Sequence, residues 1–358
     1  MPYRKTFLYA AFAVLILAGC DGGPGPDGQT PDPLDVVWTY QTEGPVRTTP
    51  VRIGGYIFFG SDDGTVYCLD EEDGSRAWAF PTGGPVRSDV ENFIVSEIYF
   101  ASDSGRVFCV DTWTGVAFWT YEAGNPVRTT PCYTTTGRLY FADTAGDVFC
   151  LTAGDGEVVW TAQVPAGVES DPWVDAERVY FGCDDGSVYA LDAATGAEVW
   201  SYATGGPVTA PMLKLMDRII VGSQDGFLYS LDPEAGTLNW RCDAGSPIRG
   251  AACPRYGADA VYVGTDDGLV VCVGLDGTLR SEFDSGAAVT GAPDGYGPVY
   301  AVVFGNHDGR LFQVDDGEED WRMAVSDSPI QASPANFGDM IFVGADDGVM
   351  YRLDPTGE

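Results

Sequence analysis

Eight copies of one short pattern run through almost the whole chain. Each reads, with substitutions, hydrophobic–Gly–small–Asp–Asp–Gly–x–hydrophobic–aromatic–x–Leu–Asp, then a second Gly turn and an aromatic residue. The turn glycines Gly64, Gly105, Gly146, Gly186, Gly226, Gly268, Gly309 and Gly348 are spaced 41, 41, 40, 40, 42, 41 and 39 residues apart. A period near 40 with strand-like alternation marks a propeller, one four-stranded blade per repeat. In the first repeat the pattern predicts strands at Val46–Val51, Tyr56–Ser61, Thr65–Asp70 and Arg76–Phe80. Asp63-Gly64 and Asp73-Gly74 fall at the tight turns, where Gly supplies the positive φ and Asp caps its own backbone.

The fourth strand carries a Trp at a fixed place: Trp78, Trp119, Trp160, Trp200, Trp240 and Trp321, with Phe283 expected to substitute once. A recurring aromatic of this kind packs between neighbouring blades. The last turn, Asp347-Gly348, has no Trp after it, whereas the segment Asp35–Tyr40 precedes the first turn with nothing of its own to complete. This N-terminal strand is expected to become the outer strand of the last blade, pairing the chain ends and leaving no gap in the ring. The predicted fold is therefore all-β: an eight-bladed propeller of four-stranded antiparallel blades over residues 36–358.

The first twenty residues stand apart. Arg4 and Lys5 precede an apolar run, Phe7 to Leu17, too short to span a bilayer but long enough for a signal peptide. The run ends in Leu17-Ala18-Gly19-Cys20, which resembles the bacterial lipobox, whose Cys is acylated and becomes the mature N-terminus. Residues 1–20 thus read as a lipoprotein signal and Cys20 as the lipidation site, tethering the chain to a membrane without spanning it. The Gly/Pro-rich stretch 21–35 reads as a flexible linker. Asp21 resembles an inner-membrane retention signal, so the outer membrane is favoured with the inner membrane as the alternative.

The chain carries 53 Asp and Glu against 19 Lys and Arg, a net charge of −34. Such a balance excludes nucleic acid and anionic membrane surfaces as electrostatic partners. Lys214 is the single lysine beyond the signal segment, a composition that resembles salt-adapted surfaces. The sole histidine, His307, replaces a turn acid and reads as an exposed turn residue. No His/Cys cluster has zinc spacing, and the paired turn acids such as Asp62-Asp63 and Asp184-Asp185 lack the further ligands of a calcium loop. Cys68, Cys109, Cys150 and Cys272 share one repeat position, too far apart from blade to blade for disulfides, and read as small buried residues.

Strings such as Gly182 to Trp200 (GCDDGSVYALDAATGAEVW) resemble the repeat of the pyrroloquinoline-quinone (PQQ)-type propellers over nearly all of the chain. That resemblance implies one of two groups. Quinoprotein dehydrogenases hold PQQ and Ca²⁺ in the funnel, flanked by a vicinal Cys–Cys disulfide, a Trp floor and a catalytic Asp on enlarged loops. The other group is non-enzymatic and includes the BamB-type lipoproteins of outer-membrane β-barrel assembly, which bind a protein partner. This chain has no adjacent cysteines and no blade with a long insertion. A lipobox followed by eight such repeats is more similar to the second group. The implied function is a monomeric, membrane-anchored, protein-binding scaffold of the cell envelope, with no catalytic residue, no cofactor and no metal site indicated. A small-anion sensor and a PQQ-dependent dehydrogenase are the alternatives.

One constellation stands out. Nine residues after most of the Trp positions come Arg47, Arg87, Arg128, Glu169, Thr209, Arg249, Thr290 and Gln331, spaced 40 or 41 apart and so forming one ring at the funnel. Four arginines at one level, in so acidic a chain, are not explained by composition. Two readings follow. Arg47 and Arg87 neutralise Asp89, Asp171 and Glu169 across a wet channel, or Arg47, Arg87, Arg128 and Arg249 capture an anion or an acidic loop of a partner through bidentate contacts.

Overall fold

The structure, a computed structural model, describes residues 35–255, 257, 259–295, 301–337 and 340–354. The signal segment, Cys20 and the linker up to residue 34 lie outside the described residues. The strands fall into eight antiparallel sheets of four, and seven of these run from an inner strand to an outer one in chain order. Blades 1 to 7 span residues 51–81, 91–122, 132–163, 173–203, 213–243, 253–284 and 294–324. Blade 8 takes its inner three strands from residues 335–354 and its outer strand from Asp35–Gln41. Asp35 pairs with Asp354, Trp38 with Arg352 and Gln41 with Val349, so the predicted closure and the blade count of eight both hold.

Blade 1 shows why each strand forms. Tyr56–Gly60 and Thr65–Asp70 are buried on both faces, because each sheet is sandwiched between its neighbours. The outer strand Arg76–Pro81 alternates between exposed and half-buried. Aromatic pairs directly across the two central strands stack face to face, as in Phe59–Tyr67 at 5.4 Å and Phe141–Phe149 at 4.9 Å. The core is divided into clusters that each join two successive blades. The closing one packs Trp38, Phe342 and Met350 of blade 8 against Ile57, Phe59 and Leu69 of blade 1.

The recurring Trp does bridge blades. Trp38, Trp78, Trp119, Trp160, Trp200 and Trp240 each donate the indole N–H to a carbonyl of the next blade's outer turn (Glu71, Thr112, Ala153, Ala193, Pro233 and Leu275), at 2.8 to 3.1 Å. The ring lies flat on that turn's glycine: a Cβ on Gly196 (φ +74°) would sit 2.6 Å from Trp160. Only Gly combines that φ with so close an approach.

Two expectations need correction. The position opposite Cys272, equivalent to that of Trp78 opposite Cys68, is held by Ser281 and not by Phe283, which pairs with Val270 one step inward. Ser281 is nine residues before Thr290, the same interval that separates Trp38, Trp78, Trp119, Trp160, Trp200 and Trp240 from their ring residues. The innermost strand of blade 1 is Val51–Ile53, so residues 46–50 lie in the extended connector between blades. The eight described cysteines are all free. Burial raises the thiol pKa of Cys68 and Cys109 to about 12 and of Cys150 and Cys183 to about 11, which leaves little thiolate at neutral pH.

Trp160→Ala is expected to cost about 3–5 kcal/mol. Gly196→Ala, which combines steric overlap with a left-handed φ, should cost at least about 1 kcal/mol. Both are measured by urea denaturation.

Candidate functional site: an arginine–carboxylate belt around the funnel

Each ring residue follows a Val or Ile whose side chain is fully buried: Val46, Val86, Val127, Val168, Val208, Ile248, Val289 and Ile330. In six blades that side chain sits over a glycine at the end of the second strand. A Cβ on Gly60 would lie 2.3 Å from Val86 Cγ1, and one on Gly222 would lie 2.2 Å from Ile248 Cγ2. With the apolar residue locked outward, its extended successor is directed into the funnel.

Backbone bonds fix the connector to the central turns. The N–H of Val86 donates to Ser61 O (3.0 Å) and the N–H of Asp62 to Pro45 O (2.8 Å). The blade 1 turn is therefore clamped between the connector before it and the connector after it. Equivalent pairs recur around the ring, including Gln224 N–H to Pro207 O and Ile248 N–H to Ser223 O at blade 5. The first turn residue of every blade is thereby placed between two ring residues.

This explains who pairs with whom. Arg47 donates from Nε and Nη2 to the two oxygens of Asp346 (2.8 and 3.0 Å) and from Nη1 to Asp62 (3.0 Å). Arg87 donates from Nε to Asp62 (3.1 Å), and its Nη1 lies 3.7 Å from Asp103. Arg128 grips Asp103 from Nε (3.0 Å) and Nη2 (3.4 Å) and donates from Nη1 to Glu169 (2.5 Å). Gln331 closes the near end by donating to Asp346 (2.6 Å). From blade 8 to blade 4 the funnel wall is thus an unbroken arc of carboxylates and guanidinium groups.

The ring arginines are paired with acids, but of the three expected acids only Glu169 takes part, and with Arg128. Asp89 and Asp171 brace the blades one level deeper, accepting the backbone N–H groups of Thr49 (2.7 Å) and Thr130 (2.6 Å). The partners of Arg47 and Arg87 are turn acids, because the clamp brings each turn between two connectors. The strand-like spacing of the sequence does not reveal that approach. His307 is half-buried in the same belt, with Nε2 2.9 Å from Thr290 Oγ1, and so is not the exposed turn residue expected.

The arc has electrical consequences. The hydrogen bond it donates to Asp346 raises the pKa of Arg47, and the one donated to Asp103 raises the pKa of Arg128. Asp184, on the blade 4 turn, has its pKa held above the usual Asp range, first by partial loss of hydration and then by the like charge of Glu169, against the opposing pull of Arg128. In all, six carboxylates (Asp62, Asp103, Asp184, Asp266, Asp346, Glu169) share the belt with four arginines.

The second turn residue has a different use in four blades. Asp63, Asp185, Asp225 and Asp347 each accept the hydroxyl of the Tyr four residues on, at 2.6 to 2.8 Å. At Asp62-Asp63 and Asp346-Asp347 the first acid is thus engaged by arginine and the second by tyrosine. No group of three or more His, Cys, Asp or Glu suited to a metal occurs among the described residues. A shallow groove of about 480 Å³ between blades 3 and 4 is lined by Gln163, Val164, Pro165, Tyr189 and Glu198, none of them a belt residue.

The family profile described as outer membrane protein assembly factor BamB matches residues 34–134, 103–216, 184–278 and 266–358, which together cover the whole propeller. The chain belongs to this BamB family of PQQ-repeat propellers. No curated protein matches it in sequence. Among solved structures it is similar to BamB from Moraxella catarrhalis (20% identity, TM-score 0.75, covering 90% of this chain and 99% of that one). It is similar in the same degree to the quinohemoprotein alcohol dehydrogenase of Comamonas testosteroni (16% identity, TM-score 0.74, 92% and 77%). The same holds for Saccharomyces cerevisiae Sqt1 (11% identity, TM-score 0.77, 90% and 100%). At these identities the likeness is one of fold, and proteins of different purpose share it.

Asp62→Asn, which removes one acid from between Arg47 and Arg87, should lower stability by about 1 kcal/mol, less at high salt. The sign for Asp184 is opposite. A carboxyl whose pKa is raised on folding loses stability as pH rises through its titration range. Asp184→Asn should therefore be more stable than the wild type at pH 7, and the difference should vanish well below the ordinary Asp pKa of about 3.9. Denaturation at two pH values and two salt concentrations measures both.

Proposed function

We propose that this chain is a non-enzymatic scaffold of the cell envelope, anchored by lipid at Cys20 and holding a protein partner engaged in outer-membrane β-barrel assembly. The observation that carries the reading is the match of the BamB family profile across the entire propeller. The lipobox-like Leu17-Ala18-Gly19-Cys20 supports the anchor, and the near-uniform repeat length gives no loop from which to build a closed reaction chamber.

Two features support a protein partner over a small ligand. The funnel belt is largely self-neutralised, so Arg47, Arg87 and Arg128 offer a structured polar rim and Arg249 the more open contact. On blade 2, Val95, Trp113, Val116 and Phe118 all stand in solvent, with the Trp113 side chain 46% exposed. Exposed aromatic groups of this kind are typical anchors of protein interfaces. The protein works as a monomer on the secreted side, at the outer membrane; Asp21 makes the inner membrane the alternative outcome of fractionation.

Affinity capture of the full chain from detergent-solubilised membranes tests the reading. Wild-type protein is expected in the outer-membrane fraction with barrel-assembly proteins co-purifying, and Cys20→Ala is expected in the soluble fraction. Recovery without envelope partners, or PQQ- and Ca²⁺-dependent reduction of a dye by the purified protein, would overturn it.

A further inference from the structure

The four ring arginines are not equivalent, and the difference points to a specific seat for a ligand. Arg47, Arg87 and Arg128 each face two carboxylates. Arg249 faces one: its Nε lies 2.9 Å from both oxygens of Asp266, and its two Nη groups have no hydrogen-bond partner among the described residues. Its side chain is 44% exposed, against 32% to 35% for the other three.

The cause is a single residue type. The turns flanking Arg87 present Asp62 and Asp103, and those flanking Arg47 present Asp346 and Asp62. The turns flanking Arg249 present Asp266 and Gln224. Gln224 is clamped in place like every other first turn residue, with its N–H on Pro207 O and the N–H of Ile248 on Ser223 O. Being an amide, it cannot supply the second negative charge, and its Nε2 donates sideways to Thr209 Oγ1 (3.0 Å). That hydroxyl, used as an acceptor, keeps its own proton to donate. The scaffold that seats a second carboxylate at three arginines therefore leaves the fourth with two Nη donors and, on the turn where the second acid would stand, an amide held by Thr209.

We infer that the Arg249 guanidinium, with Thr209 and Gln224, is a docking point for one carboxylate from outside the chain, supplied by an acidic side chain on a protein partner. A guanidinium takes a carboxylate bidentately and in plane, as Arg47 takes Asp346. A monoanion fits the local charge better than a phosphate, because Asp266 already offsets the single positive charge. The chain's net charge of −34 does not forbid the contact, since at physiological salt only charges within roughly 8 Å act on it strongly. The inference rests on the funnel face being a partner-contact surface, as proposed above, and narrows that contact to one arginine of four.

Sodium acetate serves as the probe. Full-length protein in non-ionic detergent micelles, labelled with ¹⁵N, is titrated with acetate against chloride at constant sodium, and the arginine Nε–H resonances are followed. The expected result is a saturable shift of Arg249 that chloride does not reproduce, with Arg47, Arg87 and Arg128 moving little. Gln224→Asp should place the ring's own carboxylate in the seat, weaken the acetate response at least tenfold and leave the other three resonances in place. An Arg249 signal that does not saturate, four arginines that respond alike, or an undiminished response in Gln224→Asp would each overturn the inference. Such a result together with intact capture of envelope partners would sink the seat and leave the scaffold standing. A saturable seat without partners would do the reverse.

Discussion

The architecture depends on a clamp repeated at every blade junction. A connector from one blade to the next lays a fully buried Val or Ile against the end of the second strand and exchanges backbone hydrogen bonds with the turns on either side. These bonds satisfy groups that would otherwise be stranded in an irregular, partly buried segment. Where the second strand ends in Gly, any larger residue would push the connector off, since a Cβ at Gly60 or Gly222 would overlap the β-branched side chain above it. Strand pairing builds each blade; the clamp decides how blades meet and which side chains face the funnel.

The outer rim has its own device. The indole of one blade lies on the outer-turn glycine of the next and donates to a carbonyl there, so one residue contributes apolar area and a satisfied hydrogen bond together. Clamp near the axis and indole at the rim hold six of the eight junctions at two radii. A ring made this way has no free sheet end only if its last junction closes, and Asp35–Gln41 supplies the missing outer strand. Trp38 then donates to Glu71 O of blade 1 as Trp78 donates to Thr112 O of blade 2.

The belt shows how one geometry serves two electrostatic ends. In the arc from Asp346 to Glu169, acids and arginines alternate so that each charge has a partner of opposite sign about 3 Å away. Around blades 5 to 7 the same positions hold Thr209, Gln224, Arg249, Asp266, Thr290 and His307, and the bonds are mostly neutral. Exposed ion pairs contribute little to stability. The asymmetry therefore bears more on what the funnel meets than on how firmly the ring is held.

Repeat spacing, the Asp-Gly turns, the recurring Trp and the unpaired segment around Trp38 determined blade number, strand order and closure, because each is a local or strictly periodic property of the chain. The ring of Arg47, Arg87, Arg128 and Arg249 was legible for the same reason. Its partners were not. Pairing of Arg47 with Asp346 joins residues 299 positions apart and exists only once the ends have met and the clamp has brought turn against connector. The register of Ser281 against Phe283, the half-burial of His307 and the singular position of Arg249 beside Gln224 were likewise decided by tertiary structure, because periodicity specifies which residues are equivalent but not which of them touch.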